Sequence, residues 1–139
     1  MKEVKLGEVI TLGNGKSRSK EIGQIPIYGG NGILGYSNQS NCKGQTIIVG
    51  RVGAYCGSVY FENRPIWVSD NALSVVAKEG TDIVFLYYFL KNLNLNEYAE
   101  GSSHPLLTQS LLKSIDVKIL AREIEQKAIA KVLSSLDDK

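Results

Sequence analysis

Apolar positions along the chain fall into two regimes. Up to about residue 77 they come in short, β-branched runs separated by Gly, Asn and Ser; beyond it they recur at helical spacing. Residues 4–10 form a short mixed segment, one helical turn leading into a strand. Residues 13–20 are polar and basic and read as a loop. Ile25-Pro26-Ile27-Tyr28 reads as a strand that begins at Pro26 or lies at an edge, because proline donates no ladder hydrogen bond. Residues 29–41 are rich in Gly, Asn and Ser, which predicts turns. Thr46-Ile47-Ile48-Val49 has the unbroken apolar character of a buried strand. Residues 58–61, 66–68 and 72–77 follow as strands at close spacing, so the body is β-rich, sheet- or barrel-like.

The second regime begins with Thr81-Asp82, a capping pair, and a helix over 83–93 with its bulk (Ile83, Phe85, Leu86, Phe89, Leu90, Leu93) on helical spacing. Residues 92–103 are polar and irregular. Thr108 or Ser110 caps a short helix, and Ile115, Val117 and Ile119 alternate with Asp116 and Lys118 as a period-two strand. From Ala121 onward the pattern is one helix, with Ile124, Ala128, Ile129, Val132, Leu133 and Leu136 in an apolar stripe. The predicted class is α+β: a mixed, β-rich domain with short helices over 1–120, then a helix over 121–139. The stripe either packs back on its own domain or meets a partner.

Composition changes this picture little at first. With 139 residues, 43% of them apolar and 22% charged, the expectation is one globular domain with a real core. No run of 18 apolar residues and no apolar signal-peptide core is present, so a cytoplasmic protein is expected. Cys42 and Cys56 have no CxxC or Cys/His company, which predicts two free thiols and neither a disulfide framework nor a zinc site; no cofactor is indicated. Distribution is more telling. Twelve of the 14 glycines lie in residues 1–60, and that stretch carries seven Lys/Arg against three Asp/Glu. A basic, glycine-rich front half suggests loops facing an anion.

Three chemical motifs fail their context. Gly30-Asn31-Gly32-Ile33-Leu34-Gly35 matches G-x-G-x-x-G, but turn-like residues follow where a dinucleotide site needs a helix, and no acidic residue stands about 20 positions on. Gly15-Lys16-Ser17 resembles the end of a phosphate loop, yet Ile10 occupies the position of its first glycine. His104 beside Ser102 and Ser103 lacks a nucleophile elbow, and adjacent residues do not readily face each other as nucleophile and base. No catalytic set emerges, and the Asp/Asn-Pro-Pro-Tyr/Phe signature of methyltransferases is absent.

Nucleic-acid binding fits the front half better. Lys16, Arg18, Lys20, Lys43 and Arg51 suit phosphates, and glycine lets backbone approach closely. Asn31, Tyr36, Asn38, Gln39, Asn41 and Tyr55 are available for base edges. Turn geometry and solubility account for the same residues equally simply.

The order of motifs is more specific. Lys5-Leu6-Gly7-Glu8-Val9 is followed by Gly15-Lys16, then by Ile25-Pro26-Ile27-Tyr28-Gly29-Gly30-Asn31-Gly32-Ile33-Leu34-Gly35-Tyr36. Thr46-Ile47-Ile48-Val49-Gly50-Arg51-Val52-Gly53, Ser69-Asp70-Asn71-Ala72 and Phe85-Leu86-Tyr87-Tyr88-Phe89-Leu90 come next. Ile124-Glu125-Gln126-Lys127-Ala128-Ile129-Ala130-Lys131-Val132-Leu133 closes the series. Across nearly the whole chain this resembles the target recognition domain of a type I restriction-modification DNA specificity subunit. The resemblance implies a non-catalytic domain that reads one half of a bipartite DNA target. It also implies a spacer helix in a coiled coil, a methyltransferase partner that brings S-adenosylmethionine, and a restriction subunit reached through the complex. It does not place base contacts. Candidates are Lys16, Arg18, Lys20, Asn31, Tyr36, Asn38, Lys43, Arg51, Tyr55, Ser102, Ser103 and His104, with Ile124, Ala128, Ile129, Val132, Leu133 and Leu136 for a partner helix.

Two departures stand out. Leu120-Ala121-Arg122 replaces the proline usual before the Glu-Gln helix, so an earlier helix start is expected. The chain also holds one recognition domain where full subunits carry two, which suggests a half subunit, a truncated gene product or a deliberate fragment; two copies joined as a homodimer would recreate the two-domain form. Other readings are a docking module that reads no DNA, a nucleotide-binding enzyme using the 30–35 loop, and a lectin-like binder.

Overall fold

The computed structural model describes residues 1–18, 20–101 and 103–137. Among these described residues nine strands and three α-helices follow one another, with short 3-10 turns between some of them. The α+β class expected from the sequence is the class found.

The centre is an antiparallel sheet of β2 (Ile10–Asn14), β8 (Ala72–Ala77), β5 (Thr46–Gly50) and β6 (Val59–Glu62), in that spatial order. β5 is buried along its entire length, because the sheet is covered on both faces. Its side chains alternate: Ile47 and Val49 join the main core, whereas Ile48 enters a second cluster with Tyr28, Ile66, Val68 and Ala72. That two-sided burial explains the unbroken apolar run.

One face receives α1 (Ile83–Lys91), whose Phe85, Leu86 and Leu90 pack with Leu73, Val75 and Ile47. Asp82 starts this helix by accepting a 2.9 Å bond from the Phe85 N–H. The other face receives a smaller sheet ordered β4-β3-β7. β3 (Ile22–Gly29) and β4 (Gly32–Ser37) form an antiparallel hairpin, and β7 (Trp67–Val68) lies parallel to Ile27 and Tyr28. β1 (Lys2–Lys5) pairs with β9 (Asp116–Ile119) as a separate ribbon beside α2 (Gln109–Ser114). Thr108 caps α2 through the Leu111 N–H.

Three expectations need correction. Residues 32–37 are a strand, not turns: pairing with β3 supplies the backbone partners that turn-prone composition does not reveal. β3 is a central strand and starts before Pro26; β7 pairs only with Ile27 and Tyr28, so that side of the ladder is open at Pro26. The last helix, α3 (Glu123–Asp137), starts two residues later than the Ala121 start expected from the sequence. Its inner face is Gln126 and Ala130, both buried, with Leu133 half-buried. Of the apolar stripe, Ile124 is 70% exposed, Ile129 42%, Val132 60% and Leu136 61%; Ala128 is exposed as well.

Candidate nucleic-acid interface

The antiparallel register brings four loops to one end of the molecule. β2 ends at Asn14 opposite Leu73, β5 ends at Gly50 opposite Ala72, and Val49 faces Val59 at the start of β6. The hairpin turn after Gly29 arrives at the same end, because the Ser69 N–H donates to Tyr28 C=O at 2.9 Å. Segments 14–18, 29–32, 50–55 and 69–71 therefore share one surface.

Backbone contacts lock these loops together. The Lys16 N–H donates to Val68 C=O at 3.0 Å, and the Gly15 N–H to Ala72 C=O at 3.2 Å. A Cβ on Gly15 would stand 1.7 Å from the Ser69 carbonyl oxygen, so only glycine fits between β2 and the 69–71 turn. Gly50 plays the same part against the hairpin turn: a Cβ there would meet Tyr55 O at 2.4 Å and Gly30 O at 3.0 Å.

Arg51 is the hub of the cluster. Its N–H donates to Asn71 C=O (3.1 Å), its C=O accepts from the Leu107 N–H (2.8 Å), and its guanidinium donates to Asp70 C=O (2.9 Å). One of its five donors is thus committed to holding the 69–71 turn. The Cys56 thiol, buried beneath, donates to the same Arg51 carbonyl at 3.4 Å; burial is the chief reason its pKa is raised.

Residues 103–108 are stitched to this platform. Val52 bridges Leu106, and the Gly53 N–H donates to Pro105 C=O at 3.1 Å. Between them lies a cleft of about 610 Å³ lined by Val52, Gly53, Ala54, Ser103, His104, Pro105 and Leu106. His104 is exposed, its Nδ1 2.8 Å from the Ser103 carbonyl.

The candidate residues divide accordingly. Lys16, Asn31, Arg51, Tyr55, Ser103 and His104 lie at the loop end. Arg18 and Tyr36 lie on the flank of the β3–β4 hairpin. The Arg18 guanidinium crosses β4 where Gly35 leaves room and donates to Leu34 C=O at 3.3 Å. Lys20 and Asn38 sit at the far base of the hairpin, where Ile22 faces Ser37. Lys43 adjoins the start of β5, a strand length from Arg51 at its end. Ser102 falls outside the described residues. Asn41, weighed for base edges, is structural: its side chain bonds Val68 N–H (2.7 Å) and C=O (3.0 Å).

Sequence reasoning missed Trp67, Asp70 and Gln109. Trp67 Nε1 donates to Lys16 C=O at 3.4 Å, Asp70 anchors Arg51, and Gln109 Nε2 donates to Asn14 Oδ1 at 2.9 Å. No periodicity marks them; only the motif order around Ser69-Asp70-Asn71 pointed to that segment. The 30–35 glycine run spans the hairpin turn and the first residues of β4, so no helix N-terminus is present to receive a pyrophosphate. Among the described residues no group of three or more metal-ligating side chains gathers. No helix among them is long and apolar enough to cross a membrane.

A three-layer α+β body that binds four loops into one platform and carries an appended helix is a loop-presenting scaffold. The chain belongs to the type I restriction modification DNA specificity domain family, whose family model matches residues 1–139. It is 31% identical over 136 residues to the type I restriction enzyme EcoprrI specificity subunit of Escherichia coli, covering 97% of this chain and 33% of that protein. It is 30% identical over 128 residues to a putative specificity subunit of Haemophilus influenzae, covering 87% and 32%. The chain therefore spans about a third of the length of these relatives. In fold it is similar to the S subunit of a type I restriction-modification system from M. genitalium: TM-score 0.87, 23% identity, 99% of this chain and 39% of that one. The HsdS subunit from Thermoanaerobacter tengcongensis shares the fold at TM-score 0.75 and 16% identity, over 99% and 37%.

Proposed function

We propose that this chain is a non-catalytic, cytoplasmic reader of one half of a bipartite DNA target, and that it docks the methyltransferase subunit of a type I restriction-modification complex. The observation that carries the reading is the loop platform. Exposed Lys16, Asn31, Tyr55 and His104 stand on one rigid surface, with Arg18 and Tyr36 on the adjoining hairpin flank. Cations contact phosphates there, while Asn and Tyr offer hydrogen bonds and stacking to bases. Arg51 serves chiefly to hold the platform in shape.

The exposed side of α3 fits a partner helix. Ile124, Ala128 and Val132 recur every four residues, and Leu136 continues the row beside Ile129. The occupant we infer is a second copy of α3, which joins two recognition platforms about a two-fold axis. A restriction subunit then joins through the complex.

Salt titration of DNA binding tests the reading. If Lys16 and Arg18 each neutralise one phosphate, the double Ala variant lowers the slope of log K against log salt by about 1.8, whereas Lys20→Ala, at the far base of the hairpin, leaves it unchanged. An unchanged slope in the double variant would remove Lys16 and Arg18 from the interface. Co-purification with the methyltransferase subunit, with and without target DNA, separates a DNA reader from a docking module that reads nothing.

A further inference from the structure

The most unusual side chain in α3 is Gln126. It is fully buried, 0% exposed, on a helix whose outward positions are largely in solvent. Both ends of its amide are used. Oε1 accepts from the Asp82 N–H at 2.8 Å, and Nε2 donates to Leu120 C=O at 2.7 Å. The two partners belong to different parts of the body: Asp82 is the N-cap of α1, and Leu120 is the residue after β9. A second polar contact closes the other end of the helix, where Tyr88 of α1 donates to Asp137 at 2.6 Å. Between them small Ala130 is buried and Leu133 half-buried.

We propose that Gln126, held between Asp82 and Leu120, is the lock that fixes the direction in which α3 leaves the recognition body. Resting on the reading above, it thereby sets the distance between the two half-sites that a pair of bodies can reach. Ala130 and Leu133 permit sliding and tilting, because apolar contacts are not directional. A buried amide with two fixed partners is directional, and any rotation of α3 leaves a buried donor or acceptor unpaired. The leverage is large. A helix of 15 residues is about 22 Å long. A tilt of about 15° moves its far end by about 6 Å, close to two base-pair steps of about 3.4 Å. Tyr88–Asp137 is exposed and acts as a second, weaker stay. Gln126 is a positioning residue and touches no DNA.

Residual dipolar couplings of backbone amides, measured on the full chain, read this directly. In the unaltered protein, couplings from α3 and from the body fit one alignment tensor. In Gln126→Met, which keeps side-chain length and removes both bonds, α3 couplings shrink and need a tensor of their own, while body couplings stay as they were. A role in stability alone would lower the melting temperature and leave one shared tensor, and that result overturns the proposal. Should Gln126→Met fail to fold, Gln126→Glu replaces it: it keeps the acceptor for Asp82 N–H and loses the donor to Leu120.

A spacer series completes the test. Duplexes carrying two selected half-sites are made with spacers from two base pairs short to two base pairs long. The unaltered protein prefers one spacer by about tenfold; Gln126→Met flattens the series to within about threefold and binds a single half-site as before. A mobile α3 with an unflattened series overturns the link to spacing. Failure of the unaltered protein to bind any half-site defeats the DNA-reading proposal instead, and the couplings still decide the lock.

Discussion

Gly15→Ala is the sharpest perturbation of the loop platform. Gly15 does not have the positive φ that would itself demand glycine. The constraint is space: the new Cβ would lie 1.7 Å from Ser69 O, 2.4 Å from Ser69 C and 2.8 Å from Val68 O. All three are backbone atoms, so no rotamer change relieves the clash. The end of β2 must retreat, straining the Lys16–Val68 and Gly15–Ala72 hydrogen bonds. Overpacking costs about 1–3 kcal/mol and each weakened backbone bond about 1 kcal/mol, so a loss of about 3 kcal/mol is expected. For a domain of this size that lowers the melting temperature by about 9 °C. Gly53→Ala is the control. Gly53 has φ +76° with nothing within 4 Å of a Cβ, so it suffers backbone strain alone, about 1 kcal/mol and about 3 °C. Calorimetric melting of both variants decides the matter. Equal shifts, or a Gly15→Ala protein melting within about 2 °C of the original, would refute the idea that close approach fixes this glycine.

Ile48→Ala empties the seam between the two sheets, where Ile48 is 0% exposed, and should cost about 2–5 kcal/mol in a denaturant titration; a loss under about 1 kcal/mol would mean that the seam collapses freely. Tyr88 is held up at about 12 mainly by its bond to Asp137, and Tyr28 at about 12 mainly by burial, with Glu62 adding to it. A phenol whose pKa is raised in the folded state binds its proton more tightly there. Its contribution to stability is therefore intact below about pH 10 and lost as pH climbs from there through 12. Phenolate absorbance should show two late-titrating tyrosines, and Asp137→Asn should bring one of them down; complete ionisation by about pH 11 contradicts this.

Much of the body was legible because local pattern and tertiary burial agree. The run at 46–49 is apolar throughout since both faces of β5 are covered, and Asp82 and Thr108 announce helices that they do cap. β4 was illegible because its composition is that of a turn and its strand character comes from pairing with β3. The α3 stripe was seen in the sequence, but hydrophobicity marked the outward side. The packed side is built on Gln126 and Ala130, and a buried amide reads as surface when its partners, 44 and six residues away, are unseen. Composition named basic and amide residues in the front half, yet only strand register shows that Lys16, Asn31 and Arg51 converge while Lys43 stands a strand length away.

The central claim is that the loop end reads DNA sequence. The most direct measurement is selection from a pool of randomised duplexes by this chain, together with the methyltransferase subunit proposed as its partner. The account predicts enrichment of one short motif by the unaltered protein, and loss of that motif when Asn31, Tyr36, Tyr55 and His104 are changed to Ala. A pool that stays random, or the same motif enriched by the altered loops, would contradict it.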